Sequence, residues 1–242
     1  EFYNKAIGLY QRIGVNGDDD CFTNLLNNYA IFCDFNGNKE TAIKIEKTLC
    51  NIRKISLGEH HDDYILTLRN LLSSEIELKD IAAVDSVYNE YLIATNGIDK
   101  YDKEKVYIKA IVSKAKGDLV GSETFFQLVL GWSKDDDIRG NVLGELCDVY
   151  MQLRSPKVYD VLSQYVDLHK KRLIDKLLYM STEERKNLQS YYFRNLLIEN
   201  IGIDNRVVDL ASNYCLFHKS ISLQTHKAIE RMQELAFRFP NQ

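Results

Sequence analysis

Apolar residues recur at three- and four-residue spacing over long stretches of this chain, and alternating strand patterns are scarce. This periodicity predicts helices. Only two prolines occur, Pro156 and Pro240, and glycines punctuate the periodic segments at Gly37, Gly58, Gly97 and Gly117. Proline-free runs bounded by glycine read as helices joined by short breaks. The expected fold class is all-α.

The pattern also repeats. Residues 27–49 and 69–92 each contain a helix with an apolar face, a short break and a second helix, with Asn28, Asn38 and Ala42 matched by Asn70, Asp80 and Val84. A third copy covers 104–130, where Gly117-Asp118 takes the place of Lys79-Asp80, and 141–166 is a degenerate fourth. One helical hairpin cannot bury its apolar stripe alone, whereas stacked hairpins share a continuous core. Close approach requires small residues, here Ala30, Ala42 and Ala110. Gly37-Asn38 and Gly117-Asp118 suit a tight break, because glycine tolerates left-handed backbone and Asn or Asp caps the next helix. Residues 3–13 align with 40–50, putting Ala6 opposite Ala42. The chain is therefore expected to begin on a second helix, with further repeats upstream.

From about residue 167 the hairpin pattern gives way to other helical signals. Residues 167–180 form an amphipathic stretch with Leu168, Leu173, Leu177 and Leu178 near one stripe. Ser181 and Glu184 have capping-box spacing, and Asp204-Asn205 reads as another helix start. The expected division is hairpin repeats over 1–166 and a helical connector over 167–242.

Leu26, Tyr29, Ala30, Cys33, Gly37, Asn38, Ala42 and Leu49 make the first full copy resemble the tetratricopeptide repeat family. The break at 57–68, with Gly58, His61 and Asp63, resembles the longer variant of kinesin-light-chain-like arrays, with Asp62 where proline is frequent. Further on, Met180, Ser181, Glu183, Glu184 and Arg185, then Tyr214, Leu216, Phe217, Lys219 and Leu223, resemble the helical connector that joins such arrays to a caspase-like CHAT peptidase in bacterial proteins. The resemblance implies a right-handed superhelical solenoid of α-hairpins and a protein-interaction scaffold. It further implies the regulatory fragment of a larger CHAT-type protein, with an intramolecular contact to a catalytic domain beyond Gln242. The family's catalytic residues map onto no position of this chain, so no enzymatic activity is expected. The alternative is a stand-alone adaptor for a peptide or protein partner.

In that family the first helices line the binding groove. By register the groove positions are Asn24, Asn27, Ile31 and Asp34; then Leu66, Arg69, Ser73 and Ile76; then Glu104, Tyr107, Ile111 and Lys114. Asn27 and Arg69 are suited to hydrogen-bonding an extended peptide backbone, and Tyr107 to acting as an anchor with a polar tip.

Composition narrows the chemistry. The net charge is −4 and Lys and Arg are scattered, so the basic footprint of a nucleic-acid binder is missing. No apolar run approaches the roughly 18 residues of a membrane span. The five cysteines, an odd number without a CxxC, suggest a reducing, cytoplasmic setting and small buried hydrophobes. Cys215, His218 and His226 suggest a thiol nucleophile or a metal site, yet nothing nearby offers backbone donors for an oxyanion, and one helix cannot surround a zinc ion. Cys215 is expected to be buried, with His218 partly exposed. His60, His61, Asp62 and Asp63 fall between repeats, where Asp62 or Asp63 suits a helix cap. Asp18–Asp20 and Asp135–Asp137 precede first helices and suit their positive ends. No metal or cofactor is expected.

Overall fold

The computed structural model describes residues 2–12, 20–177, 191–217, 219–220 and 227. The described residues are helical apart from short turns, with no strand among them. In chain order the helices are α1 Phe2–Arg12, α2 Asp20–Phe35, α3 Lys39–Leu57, α4 Asp62–Leu78, α5 Ile81–Ala94, α6 Asp102–Ala115, α7 Leu119–Trp132, α8 Asp136–Gln152 and α9 Val158–Leu177. A short 3-10 turn, Asp99–Tyr101, precedes α6. Then follow α10, Tyr191–Asn200, and α11, residues 206–217. The chain divides into two compact units, Glu1–Phe125 and Phe126–Gln242.

The hairpin turns are the most regular feature. Four residues hold a left-handed backbone inside them: Gly37 (φ 76°), Lys79 (φ 61°), Gly117 (φ 81°) and Arg154 (φ 48°). Each turn closes with the same pair of bonds. The Asn38, Asp80, Asp118 and Ser155 amides donate to the carbonyls of Cys33, Glu75, Ser113 and Tyr150 at 2.9, 3.2, 2.9 and 2.9 Å. The preceding amides donate three residues back, as Gly37 does to Asp34 at 2.9 Å and Arg154 to Met151 at 3.0 Å. This pairing satisfies the last carbonyls of a helix and needs a left-handed residue to form. The residue after it then starts the next helix. Asn38, Asp80 and Asp118 accept from the amides of Thr41, Ala83 and Gly121 at 3.4, 3.0 and 2.9 Å, and Ser155 Oγ from the Lys157 amide at 3.3 Å. The copy at 141–166, degenerate in sequence, thus keeps the same turn.

Within the first unit the core runs through consecutive hairpins. Ile43 and Cys50 of α3, Tyr64, Ile65, Leu68, Leu71 and Leu72 of α4, Val84, Val87, Tyr91 and Ala94 of α5, and Ile108 and Val112 of α6 form one cluster. Each large apolar side chain so buried contributes about 1.5–3 kcal/mol. The small-residue positions are all buried: Ala30, Leu72 and Ala110 on first helices are at most 2% exposed, and Ala42, Val84 and Ser122 on second helices are fully buried. Leu72 and Val84 fill these positions with larger side chains and still bury completely. Helix α1 packs on α2, with the Tyr3 ring stacked on Tyr29 at 4.9 Å.

In the second unit α8 packs on α9, burying Val142, Leu143, Leu146, Cys147, Val149 and Tyr150 with Val158, Val161, Leu162 and Val166. Arg172 and Lys171 of α9 pair with Asp137 and Asp136 at the start of α8, at 2.8 and 2.7 Å. Helix α9 runs unbroken through residue 167, where the sequence places the start of the connector. Asp204 opens α11 as expected, accepting from the Arg206 amide at 2.9 Å. The expected start at Ser181 and Glu184 lies outside the described residues, as do Leu178, Met180, Glu183, Arg185, His218, Leu223 and His226.

Two expectations need correction. Cys215 is exposed, and so is Cys21, while Cys33, Cys50 and Cys147 are buried. The buried stripe of α11 passes through Val207 and Tyr214, and Cys215 stands one residue off it, about 100° around the helix. Tyr214 turns inward, its hydroxyl 3.2 Å from His169 Nδ1 on α9. The second correction concerns the cap of α4. It is His61, whose Nδ1 accepts from the Asp63 amide at 3.2 Å. Asp62 instead lies in the first turn and accepts from Lys100 at 2.5 and 2.6 Å and from the Tyr101 hydroxyl at 2.7 Å. His60 donates from Nδ1 to the Ala94 carbonyl at 2.8 Å. These bonds fasten one inter-repeat break to the next, a use of this polar stretch that its histidines and aspartates do not announce.

Candidate partner-binding face

The three first helices of the first unit, α2, α4 and α6, carry every residue expected to line a groove. On α2, Asn24 is exposed, Asn27 and Asp34 are half-buried, and Ile31 is 54% exposed. On α4, Leu66 is 44% exposed, Ser73 is exposed and Arg69 is half-buried. Ile76 and, on α6, Tyr107 pack against the core cluster and are partly covered. Glu104, Ile111 and Lys114 are half-buried.

The charged members are not loose. Arg69 Nε lies 3.3 Å from Glu104 Oε1, which also accepts from the Tyr91 hydroxyl at 2.8 Å. One carboxylate therefore joins α4, α5 and α6. Burial first, and this bond to Glu104 second, push the Tyr91 hydroxyl well above its usual range. Lys39 sits between Asp34 and Glu77, tying the end of α2 to the end of α4. Burial works against its charge, but the two carboxylates outweigh burial and raise its pKa. The same device recurs around Glu90 of α5, which accepts from the Tyr64 hydroxyl of α4 at 2.5 Å and from Lys54 of α3 at 2.9 Å. Burial opposes the Glu90 charge, and these two bonds overcome it and lower its pKa.

Arg69 and Tyr107 therefore serve the architecture before any ligand arrives. The groups that face outward without such duty are Asn24, Ile31, Leu66 and Ser73. Two further residues escaped sequence reasoning: Phe32, 51% exposed, and Phe35, 90% exposed, both on α2 beside Ile31. Tyr3 covers one side of Phe32, with ring centroids 5.4 Å apart. The available signal was Cys33, which takes the buried position in this turn and so leaves its aromatic neighbours outside the stripe.

This face can offer apolar contact and amide hydrogen bonds. Among the described residues no group of three His, Cys, Asp or Glu side chains is placed to hold a metal ion. No described helix is long and apolar enough to cross a membrane.

No protein-family model matches the chain, and no curated protein does. Solved structures do. A kinesin light chain of Podosopora anserina with nearly identical TPR-like repeats superposes with a TM-score of 0.50 at 11% identity, over 83% of this chain and 94% of that one. A single-substitution variant of the same protein gives 0.51 at 12%, over 84% and 95%. The fold is an all-α array of TPR-like repeats. At such low identity the shared property is the hairpin geometry, which here rests on the four left-handed turns and the small-residue contacts.

Proposed function

We propose that this chain is a non-enzymatic protein-interaction scaffold that holds an extended peptide or protein partner on the first-helix face of α2, α4 and α6. The observation that carries the reading is the pairing of outward apolar groups, Ile31 and Leu66, with polar neighbours Asn24 and Ser73 on helices locked by the Arg69–Glu104 and Lys39 bridges. A rigid face loses little conformational entropy when a partner is bound. Asn27, Asp34, Arg69, Tyr107, Ile111 and Lys114 complete the groove as lining and support. Peptides selected from a random library on the full chain test it. Ile31→Glu and Leu66→Glu are expected to abolish their binding, and Lys44→Glu, on the exposed side of a second helix, to leave it intact. Equal binding by all three variants contradicts the assignment.

The finer proposal is that residues 1–166 form the repeat array and 167–242 a connector to a CHAT-type peptidase, in a cytoplasmic, bacterial protein. In that arrangement a partner on the array alters how the connector presents the catalytic domain. A peptidase segment with its own His and Cys after Gln242 in the parent reading frame supports this. A frame without one favours the stand-alone adaptor.

A further inference from the structure

Glu46 plays no part in the face described above. It lies mid-helix in α3, only 6% exposed, and α3 is flanked by α2 and α4. Its Oε2 has no hydrogen-bond partner. The carboxyl group meets the Ser74 hydroxyl of α4, and Ser74 is itself buried. Two of the charges around it share its sign: Asp34 from the end of α2 and Glu75, 2% exposed, from α4. The nearby cations are engaged elsewhere. Lys47 pairs with Glu75 at 2.7 Å, and Lys39 is held by Asp34 and Glu77. One turn further along α3 lies buried Cys50, whose thiol is pushed up to about 12, so it stays protonated and adds no charge. An ionised carboxylate in such a place is costly, because burial removes water and the Ser74 hydroxyl alone replaces it, leaving Oε2 bare.

We propose that Glu46 is a proton-sensitive joint between the hairpin α2–α3 and the hairpin α4–α5: as a neutral acid it lets α3 seat against α4, and as a carboxylate it places an uncompensated charge in that seam. Burial raises its pKa to about 7, Ser74 and Lys39 oppose the rise, and Asp34 and Glu75 add to it. The sign follows from linkage. A carboxyl whose folded pKa lies above its unfolded value contributes full stability below about 4.5 and loses it progressively as pH rises to about 7. The joint lies within reach of Asp34, so the seam and the first-helix face share a residue, but the inference needs no partner to be tested.

The test is urea unfolding of the full chain and of Glu46→Gln at pH 5 and pH 8. The unfolding constant of the wild type is expected to rise about 70-fold more than that of the variant between these two values. Ser74→Ala removes the hydroxyl that favours the ionised form. It is expected to move the Glu46 side-chain titration, followed by carboxyl-carbon NMR, to higher pH than in the wild type. Parallel pH dependence of wild type and Glu46→Gln overturns the proposal, as does a Glu46 titration near 4.5. The wild-type NMR titration decides the matter by itself if the Gln variant does not fold.

Discussion

The four left-handed turns make a quantitative prediction, because two carry glycine and two do not. A non-glycine residue in left-handed backbone costs about 1–2 kcal/mol, and the extra freedom glycine gives the unfolded chain costs the folded state about 0.5–1 kcal/mol. Replacing Lys79 (φ 61°) or Arg154 (φ 48°) with glycine removes the first cost and adds the second. The net expected gain is about 0.5–1 kcal/mol per site. The reverse change is expected at Gly37 and Gly117. A Cβ added at either meets no atom within 4 Å, so no clash enters and only the backbone strain remains. Gly37→Ala and Gly117→Ala are expected to cost about 1 kcal/mol each. Urea midpoints of the four variants measure this directly, and an unchanged slope shows that each variant exposes the same surface on unfolding. Destabilisation by Lys79→Gly, or neutrality of Gly37→Ala, refutes the claim that these turns are one device repeated four times.

Other outcomes follow from the packing and the polar bridges. Ala42→Leu and Ala110→Leu, both at fully buried positions, are expected to destabilise by about 1–3 kcal/mol or more through overpacking, read as lowered Tm. Arg53, 5% exposed, donates to the Asp63 carbonyl at 3.1 Å and to Thr67 Oγ1 at 2.6 Å, so Thr67→Val is expected to cost about 1–3 kcal/mol in urea unfolding by removing an acceptor from a buried cation. Glu90 behaves oppositely to Glu46: its folded pKa is lowered, so its contribution is present above the unfolded pKa and lost as pH falls. Glu90→Gln is therefore expected to destabilise at neutral pH and to flatten the acid limb of the stability profile.

Much of this architecture was legible in the residues because the determinants are local. Gly37-Asn38 and Gly117-Asp118 announce a left-handed residue followed by a cap, and Ala30, Ala42 and Ala110 announce close helix approach. The same geometry was harder to read at Lys79-Asp80 and Arg154-Ser155, where the backbone demand is met without glycine. What the sequence concealed was tertiary. Arg69 looked available for a ligand until Glu104, on the next first helix, was seen to hold it. Asp62 looked like a cap until Lys100 and Tyr101 were seen to take its oxygens. Glu46 carries an ordinary helix-surface residue type, and only its burial between α2 and α4 sets it apart. Phe32 and Phe35 were hidden by their proximity to the apolar stripe, yet they stand one and two residues from buried Cys33 and so face away from it.

The most direct test of the central claim is hydrogen–deuterium exchange on the full chain with and without a library-selected peptide. The account predicts new protection in the amides of α2, α4 and α6, centred on the turns bearing Ile31, Leu66 and Tyr107. Protection confined to α3 and α5, or to residues 167–220, would contradict it.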